Sequence, residues 1–81
     1  MAAMRMYATL WCGDCRQARQ FLKKRSIPYT DINIDADRDG EAFVLKANNG
    51  RRKVPTFDID GRVFSCSPFD GERFKLELAV Q

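Results

Sequence analysis

The sequence changes its periodicity around the segment Trp-Cys-Gly-Asp-Cys, residues 11–15, and this change constrains the fold more than any other feature. Before the segment, residues 4–8 mix apolar and β-prone side chains and predict a strand. From Gly13 onward, apolar residues recur at spacings of three and four, which predicts a helix. Cys12 and Cys15 therefore lie where a strand leads into a helix.

The rest of the chain continues to alternate strand and helix patterns. Further strands are predicted over residues 29–34, 56–60 and 62–65, and a second helix over residues 38–48. Asp60-Gly61 is a strong hairpin signal between the last two strands. A third helix follows, and it has two candidate starts: a cap at Ser67 with Pro68 in the first turn, or a cap at Asp70.

The predicted second helix carries apolar residues, among them Ala42, Phe43, Leu45 and Ala47. The resulting order is β-α-β-α-β-β-α, in which the first two strands form a right-handed parallel unit. The expected fold class is α/β, with a four-stranded mixed sheet flanked by helices.

The composition narrows the functional classes. The 81 residues suit one small domain, which we expect to span residues 1–81. The net charge of +3 is too small to indicate a nucleic-acid binder. The chain has no histidine, which removes the Cys–His catalytic pair and the commonest metal ligand.

The N-terminal residues contain no apolar run long enough for a signal peptide, and no stretch reaches the length of a membrane span. We therefore expect a cytoplasmic monomer that binds neither membrane nor nucleic acid. In a reducing cytosol, a closely spaced cysteine pair is catalytic or metal-binding rather than structural.

Redox exchange and metal binding are the two interpretations of Cys12 and Cys15. Unpaired backbone N–H groups at a helix start stabilise a thiolate, which favours a lowered pKa for Cys12. Cys15 lies one turn further, at a spacing that permits a disulfide. A structural zinc site requires four ligands, whereas the chain has one further cysteine and no histidine. We therefore favour redox chemistry and expect no metal site.

Over nearly its whole length the chain resembles the glutaredoxins, a family with the thioredoxin fold. The resemblance lies in "YATLWCGDC" after the first strand and "NNGRRKVPTF" before the third, with the Asp-Gly hairpin and the C-terminal helix in support. The chain looks most like the mycoredoxin-type and ribonucleotide-reductase-reductant branches. These similarly have residues other than Pro-Tyr between their cysteines.

The resemblance implies that Cys12 is the attacking nucleophile and Cys15 the resolving thiol. It also implies a cis peptide bond between Val54 and Pro55, in a loop that faces Cys12 and pairs with an extended substrate. Three departures from the family pattern concern glutathione: Gly13-Asp14 between the cysteines, Thr9 in place of a basic residue, and Ser65-Cys66 in place of two glycines.

Substrate-binding candidates surround this motif. They are Trp11, Gly13, Arg52, Lys53, Val54, Pro55, Ser65 and Cys66. Trp11 forms an apolar rim beside the thiol or packs in the core. The basic pair before Val54 binds carboxylates of a small thiol or of a partner, or is a solvated loop. Cys66 lines the groove, or is a buried packing residue.

The predicted activity is that of a glutaredoxin-like disulfide reductase, which acts on disulfide-containing proteins or mixed disulfides. No bound cofactor is expected, and glutathione or an equivalent low-molecular-weight thiol is the expected co-substrate. One alternative is an electron donor to ribonucleotide reductase or a peroxidase, reduced by thioredoxin reductase. An iron–sulfur or metal carrier and a structural adaptor are alternatives from other classes.

Overall fold

A computed structural model describes residues 3–79 as seven elements in the predicted order. They are β1 (Met4–Ala8), α1 (Gly13–Lys24), β2 (Thr30–Asn33), α2 (Arg38–Ala47), β3 (Thr56–Ile59), β4 (Arg62–Ser65) and α3 (Gly71–Ala79). The predicted α/β class is confirmed. None of the helices within the described residues is long and apolar enough to cross a membrane.

The four strands form one mixed sheet in the order β2-β1-β3-β4. The strand β1 pairs in parallel with β2 and antiparallel with β3, and β4 completes the sheet through an antiparallel hairpin. Asp60 and Gly61 both have positive φ, at 51° and 91°, as the predicted tight turn requires. The N-terminal strand therefore lies inside the sheet, and its carboxyl end leads directly to the cysteine pair.

The sheet is covered on both faces. Met6 of β1 belongs to a cluster with α1 and α3, while the next residue, Tyr7, packs with Val44 of α2 on the other face. Successive strand side chains point to opposite faces, so β1 is buried on both sides and its sequence is apolar almost throughout. The cysteine motif is thus attached to the most buried strand of the protein.

Aromatic rings fill the larger of the two cores. Phe74 of α3 is fully buried and lies 4.7 Å from the ring of Phe57 and 5.2 Å from that of Phe21, measured between centroids. Phe69 meets the same ring at 5.4 Å. This cluster joins α1, β3 and α3 beneath the cysteine motif and anchors the loop that precedes α3.

Only part of the apolar pattern of α2 is buried. Gly40 and Val44 are its buried residues, whereas Ala42 and Ala47 are exposed. The helix approaches the sheet closely at Gly40, where a Cβ atom would lie 3.0 Å from the Cγ2 of Ile32. The close approach at Gly40 therefore determines which face of α2 is buried. Because Gly40 has no side chain, the pattern of apolar residues alone does not reveal this face.

Of the two candidate starts for α3, the structure has the one at Asp70. The Oδ1 of Asp70 accepts hydrogen bonds from the N–H groups of Glu72 and Arg73 at 3.0 and 3.4 Å. Ser67 lies in the preceding loop, where its hydroxyl donates a hydrogen bond to the carboxylate of Asp14. The Ser67–Pro68 peptide bond in that loop is cis.

Candidate active site

Cys12 occupies the N-cap of α1, where its backbone is extended and its side chain replaces a missing helix partner. Its Sγ accepts a hydrogen bond from the backbone N–H of Cys15 at 3.3 Å, and its carbonyl accepts from the N–H of Arg16 at 3.1 Å. An N–H group directed at a sulfur stabilises the negative charge of a thiolate. The side chain is partly exposed, so an external disulfide has access to it.

Cys15 lies beneath Cys12 and is fully buried. Burial is the main cause that raises the pKa of its thiol to about 12; the neighbouring Cys12 acts in the same sense, and a backbone hydrogen bond from Thr9 acts in the opposite sense. Cys15 therefore keeps its proton at neutral pH. The geometry distinguishes an accessible thiol that accepts a helix N–H from a buried, protonated thiol below it.

The loop before β3 forms the opposite wall of the site. The Sγ of Cys12 lies 3.8 Å from the carbonyl oxygen of Val54, to which its S–H donates. The Val54–Pro55 bond is cis, and the Pro55 side chain is fully buried. The carbonyl of Pro55 accepts from the N–H of Cys66 at 3.1 Å, which ties this loop to the segment after β4.

The third cysteine is placed differently from the first two. The side chain of Cys66 is 1% exposed and belongs to the core cluster with Phe74, so its thiol faces the protein interior. This burial favours the packing interpretation over a thiol that reacts with substrate. Ser65 is half-buried, and its carbonyl accepts from the guanidinium of Arg73 at 3.2 Å. At this position the backbone N–H of Cys66 contacts Pro55.

Asp14, between the two cysteines, makes contacts that the sequence did not suggest. Its Oδ1 accepts from the backbone N–H of Phe69 at 3.0 Å, and its Oδ2 accepts from the hydroxyl of Ser67 at 3.2 Å. Its carboxylate therefore fastens the start of α1 to the loop before α3.

The two basic candidates differ in their surroundings. The guanidinium of Arg52 forms ion pairs with Asp35 and with Glu41, the latter at 3.0 Å. The ammonium of Lys53 has no polar partner among residues 3–79, and it directly precedes Val54. Of the two, Lys53 has its charge free for a ligand, whereas Arg52 braces α2 against the loop.

The rim of the site is apolar and exposed. Trp11 is 90% exposed and Leu10 is 67% exposed, so Trp11 lies at the surface and not in the core. A Cβ atom on Gly13 would meet no atom within 4 Å, which leaves open space over the start of α1. The sequence analysis did not name Leu10 as a site residue, although its position next to Trp11 could have indicated it. Exposed large apolar side chains next to a reactive group are typical of a docking surface.

A second residue that the sequence analysis missed is Arg19. Its guanidinium pairs with Asp31 of β2 at 2.6 Å and donates to the carbonyl of Thr9 at 3.3 Å. Its positive charge also favours the ionised form of Cys15, against the larger effect of burial. The spacing of four residues between Cys15 and Arg19 on one helix was the signal that could have revealed it.

Within residues 3–79, no cluster of three or more His, Cys, Asp or Glu side chains is arranged to hold a metal ion. The three cysteines are free thiols in this structure. The arrangement around Cys12 therefore consists of the Cys12–Cys15 thiol pair, the backbone of Val54 opposite it and the exposed apolar side chains of Leu10 and Trp11.

Comparisons with known proteins agree with this geometry. A family model described as glutaredoxin matches residues 4–64. A Mycobacterium tuberculosis protein that is named as a glutaredoxin is 34% identical over 93% of this chain and 90% of its own length. Mycoredoxin 1 of Corynebacterium glutamicum is 31% identical over 89% of each chain. The crystal structure of a mutant of the thioredoxin-like protein BC3987 superposes over 100% of both chains, with a TM-score of 0.80 and 25% identity.

Proposed function

Because the chain belongs to the glutaredoxin family, we propose that it is a dithiol disulfide reductase with Cys12 as nucleophile and Cys15 as resolving thiol. Members of this family are generally thiol–disulfide oxidoreductases. One observation carries the assignment of roles: Cys12 is accessible and accepts the N–H of Cys15, whereas Cys15 is buried and stays protonated.

The reaction proceeds in two exchanges. The Cys12 thiolate attacks one sulfur of the substrate disulfide, forms a mixed disulfide and expels the other substrate sulfur as a thiolate. Cys15 then loses its proton, which the leaving sulfur takes up, and attacks the Sγ of Cys12. The Cys12–Cys15 disulfide forms and the second substrate sulfur leaves as a thiolate, which takes up from solvent the proton that Cys12 released when it ionised. The substrate has then gained two electrons and two protons.

The walls of the site determine how a disulfide is presented to Cys12. An extended peptide passing the loop before β3 finds the backbone of Val54, whose position is fixed by the buried Pro55. Such a peptide adds as a short strand, with its cysteine directed at Cys12. Apolar side chains of the peptide rest on Trp11 and Leu10, which supports protein disulfides as substrates.

Lys53 is proposed to meet an acidic group of the substrate. Its ammonium is exposed next to Val54, and an exposed cation there attracts carboxylates without holding them rigidly. Arg52 contributes by ordering the loop through its two ion pairs. The backbone segment of Ser65 and Cys66 supports the loop through Pro55.

The experiment that tests this function compares two reducing systems on one substrate. Insulin, or bis(2-hydroxyethyl) disulfide, is incubated with the protein and either glutathione plus its reductase or thioredoxin reductase plus NADPH. We expect disulfide reduction that requires Cys12, and the more effective system identifies the reductant. No activity with either system, or equal activity of Cys12→Ser, contradicts the proposal.

An iron–sulfur carrier is the function from another class that the same cysteine could serve. A cluster shared between two chains through Cys12 absorbs visible light and brings iron into the purified protein. The absorbance spectrum and iron content of protein purified without air distinguish the two functions. Colourless, iron-free protein that reduces disulfides agrees with the proposal made here.

A further inference from the structure

The carboxylate of Asp14 is held by one hydrogen bond to each of its oxygens, as the carboxylate of a bound ligand would be. Each oxygen accepts one hydrogen bond, Oδ1 from the N–H of Phe69 at 3.0 Å and Oδ2 from the hydroxyl of Ser67 at 3.2 Å, and both contacts are partly buried. Hydrogen bonds to an ionised carboxylate are stronger than those between neutral groups. The loop between β4 and α3 therefore contains a donor pair suited to one carboxylate, and Asp14 occupies it.

This donor pair lies on the rim of the reactive thiol. Asp14 is two residues from Cys12 in the same helix start, and its contact with Ser67 joins that start to the loop before α3. The residue before Ser67 donates its N–H to Pro55, and the carbonyl of Val54 contacts the Sγ of Cys12. These contacts connect the start of α1, the loop before β3 and the loop before α3 around one side of the site. The hydrogen bonds of Asp14 supply the last of these connections.

From this arrangement we infer that Asp14 determines substrate specificity by occupying the Ser67–Phe69 donor pair and so excluding the carboxylate of a small acidic thiol. The inference rests on the proposed disulfide exchange at Cys12 and goes beyond it by naming the class of substrate that is disfavoured. A second carboxylate at this rim finds both donors occupied and meets the negative charge of Asp14. Disulfides that present apolar or amide groups there, as protein disulfides do, meet neither obstacle.

The sequence of this loop and the position of Asp14 make the exclusion reversible by mutation. In Asp14→Ala the N–H of Phe69 and the hydroxyl of Ser67 lose their acceptor and become available to an external carboxylate. In Asp14→Asn the side-chain oxygen still accepts from the N–H of Phe69 and the amide nitrogen donates to the hydroxyl oxygen of Ser67, so the side chain still fills the site while the negative charge is gone. Comparing the two variants separates occupation of the donors from simple charge repulsion.

The experiment measures single-turnover oxidation of the pre-reduced protein by glutathione disulfide and by its ethyl ester, in which the carboxylates are capped. Each turnover converts two protein thiols and one glutathione disulfide into a protein disulfide and two thiols, so no further reactant is needed. Reaction mixtures are quenched with acid and their protein thiols are counted by mass spectrometry. The measured quantity is the ratio of the second-order rate constants for the free acid and the ester.

We expect this ratio to rise about tenfold in Asp14→Ala and less than about threefold in Asp14→Asn, since a charge-assisted hydrogen bond contributes about this much to binding. Ser67→Ala in the Asp14→Ala background removes one of the freed donors. The double variant should return to within about threefold of the wild-type ratio. The circular-dichroism spectrum of each variant verifies that it is folded.

Three results overturn the inference: an unchanged ratio in Asp14→Ala, an equal rise in Asp14→Asn, or a gain that persists in the double variant. If Asp14→Ala does not fold, Asp14→Ser supplies a second short side chain for the same comparison. Failure of the proposed function looks different, because the wild type would then react with neither disulfide faster than Cys12→Ser does. In that case both proposals are wrong.

Discussion

The backbone N–H of Cys15 lies 3.3 Å from the Sγ of Cys12, so one contact in the first turn of α1 joins the two cysteines. The same turn buries the Cys15 thiol completely, while Cys12 remains partly exposed. A helix start thus places two chemically identical groups in different environments. The predictions that follow depend on this difference and on the packing that maintains it.

The first prediction concerns the order of attack. Cys12→Ser should abolish disulfide reduction, because the buried Cys15 cannot reach an external disulfide. Cys15→Ser should instead accumulate a mixed disulfide on Cys12, which intact-mass spectrometry detects as the added mass of the substrate thiol. If the mixed disulfide accumulates in Cys12→Ser and not in Cys15→Ser, the roles are reversed.

The second prediction concerns the dependence of stability on pH. The pKa of Cys15 is raised from 9.0 to about 12 in the folded protein, mainly by burial. Between these values the unfolded chain loses this proton and the folded protein keeps it, so ionisation favours unfolding. The contribution of Cys15 to stability is therefore complete below about pH 9 and declines as the pH rises toward 12.

Urea denaturation of the reduced protein between pH 8 and pH 11 measures this effect, with Cys15→Ser as the matched control. Other residues titrate in the same range in both proteins, so the difference between the two curves isolates Cys15. We expect the wild type to lose stability more steeply than Cys15→Ser above pH 9. Parallel curves would contradict a raised pKa for the buried thiol.

The third prediction separates Lys53 from Arg52. Lys53→Gln should raise the KM for an acidic peptide disulfide by about two- to fivefold at low salt, because an exposed cation contributes about 0.5–1 kcal/mol. The effect should fade at high salt through screening. Arg52→Gln should change KM less, since its charge is already paired with Asp35 and Glu41.

Steady-state kinetics with one acidic and one neutral peptide disulfide test this difference. The neutral peptide serves as the control, because loss of a charge at position 53 should not alter its KM. Equal effects of Lys53→Gln on both peptides would show that the lysine acts on the loop and not on the substrate.

The fourth prediction concerns the aromatic core under the site. Phe74→Ala should lower the free energy of unfolding by about 3–5 kcal/mol, the usual cost of removing a fully buried ring. Leu76→Ala on the same helix should cost less than about 0.5 kcal/mol, because that side chain is 71% exposed. Urea denaturation compares the two. Equal losses would mean that α3 does not pack as described.

Local signals in the sequence predicted much of this protein. The strand at residues 4–8 and the helix start at Gly13 follow from periodicities that span only a few residues, and the structure has both at those positions. The Asp60-Gly61 turn is equally local, since the two residues themselves adopt the positive φ angles that it needs. The family followed from motifs of the same short range, and the comparisons confirmed it.

Tertiary structure decided what the side chains touch. Asp14 meets Ser67 and Phe69, which lie 53 and 55 positions further along the chain, and no local pattern records that contact. The pairing of Arg52 with Asp35 and the burial of Cys66 depend likewise on how distant segments pack. Hydrogen bonds and burial arise only when the sheet brings these segments together, whereas periodicity and turn propensity act within a few residues. The sequence by itself therefore determined the elements and the thiol pair, and the packing of the elements decided the surroundings in which those thiols react.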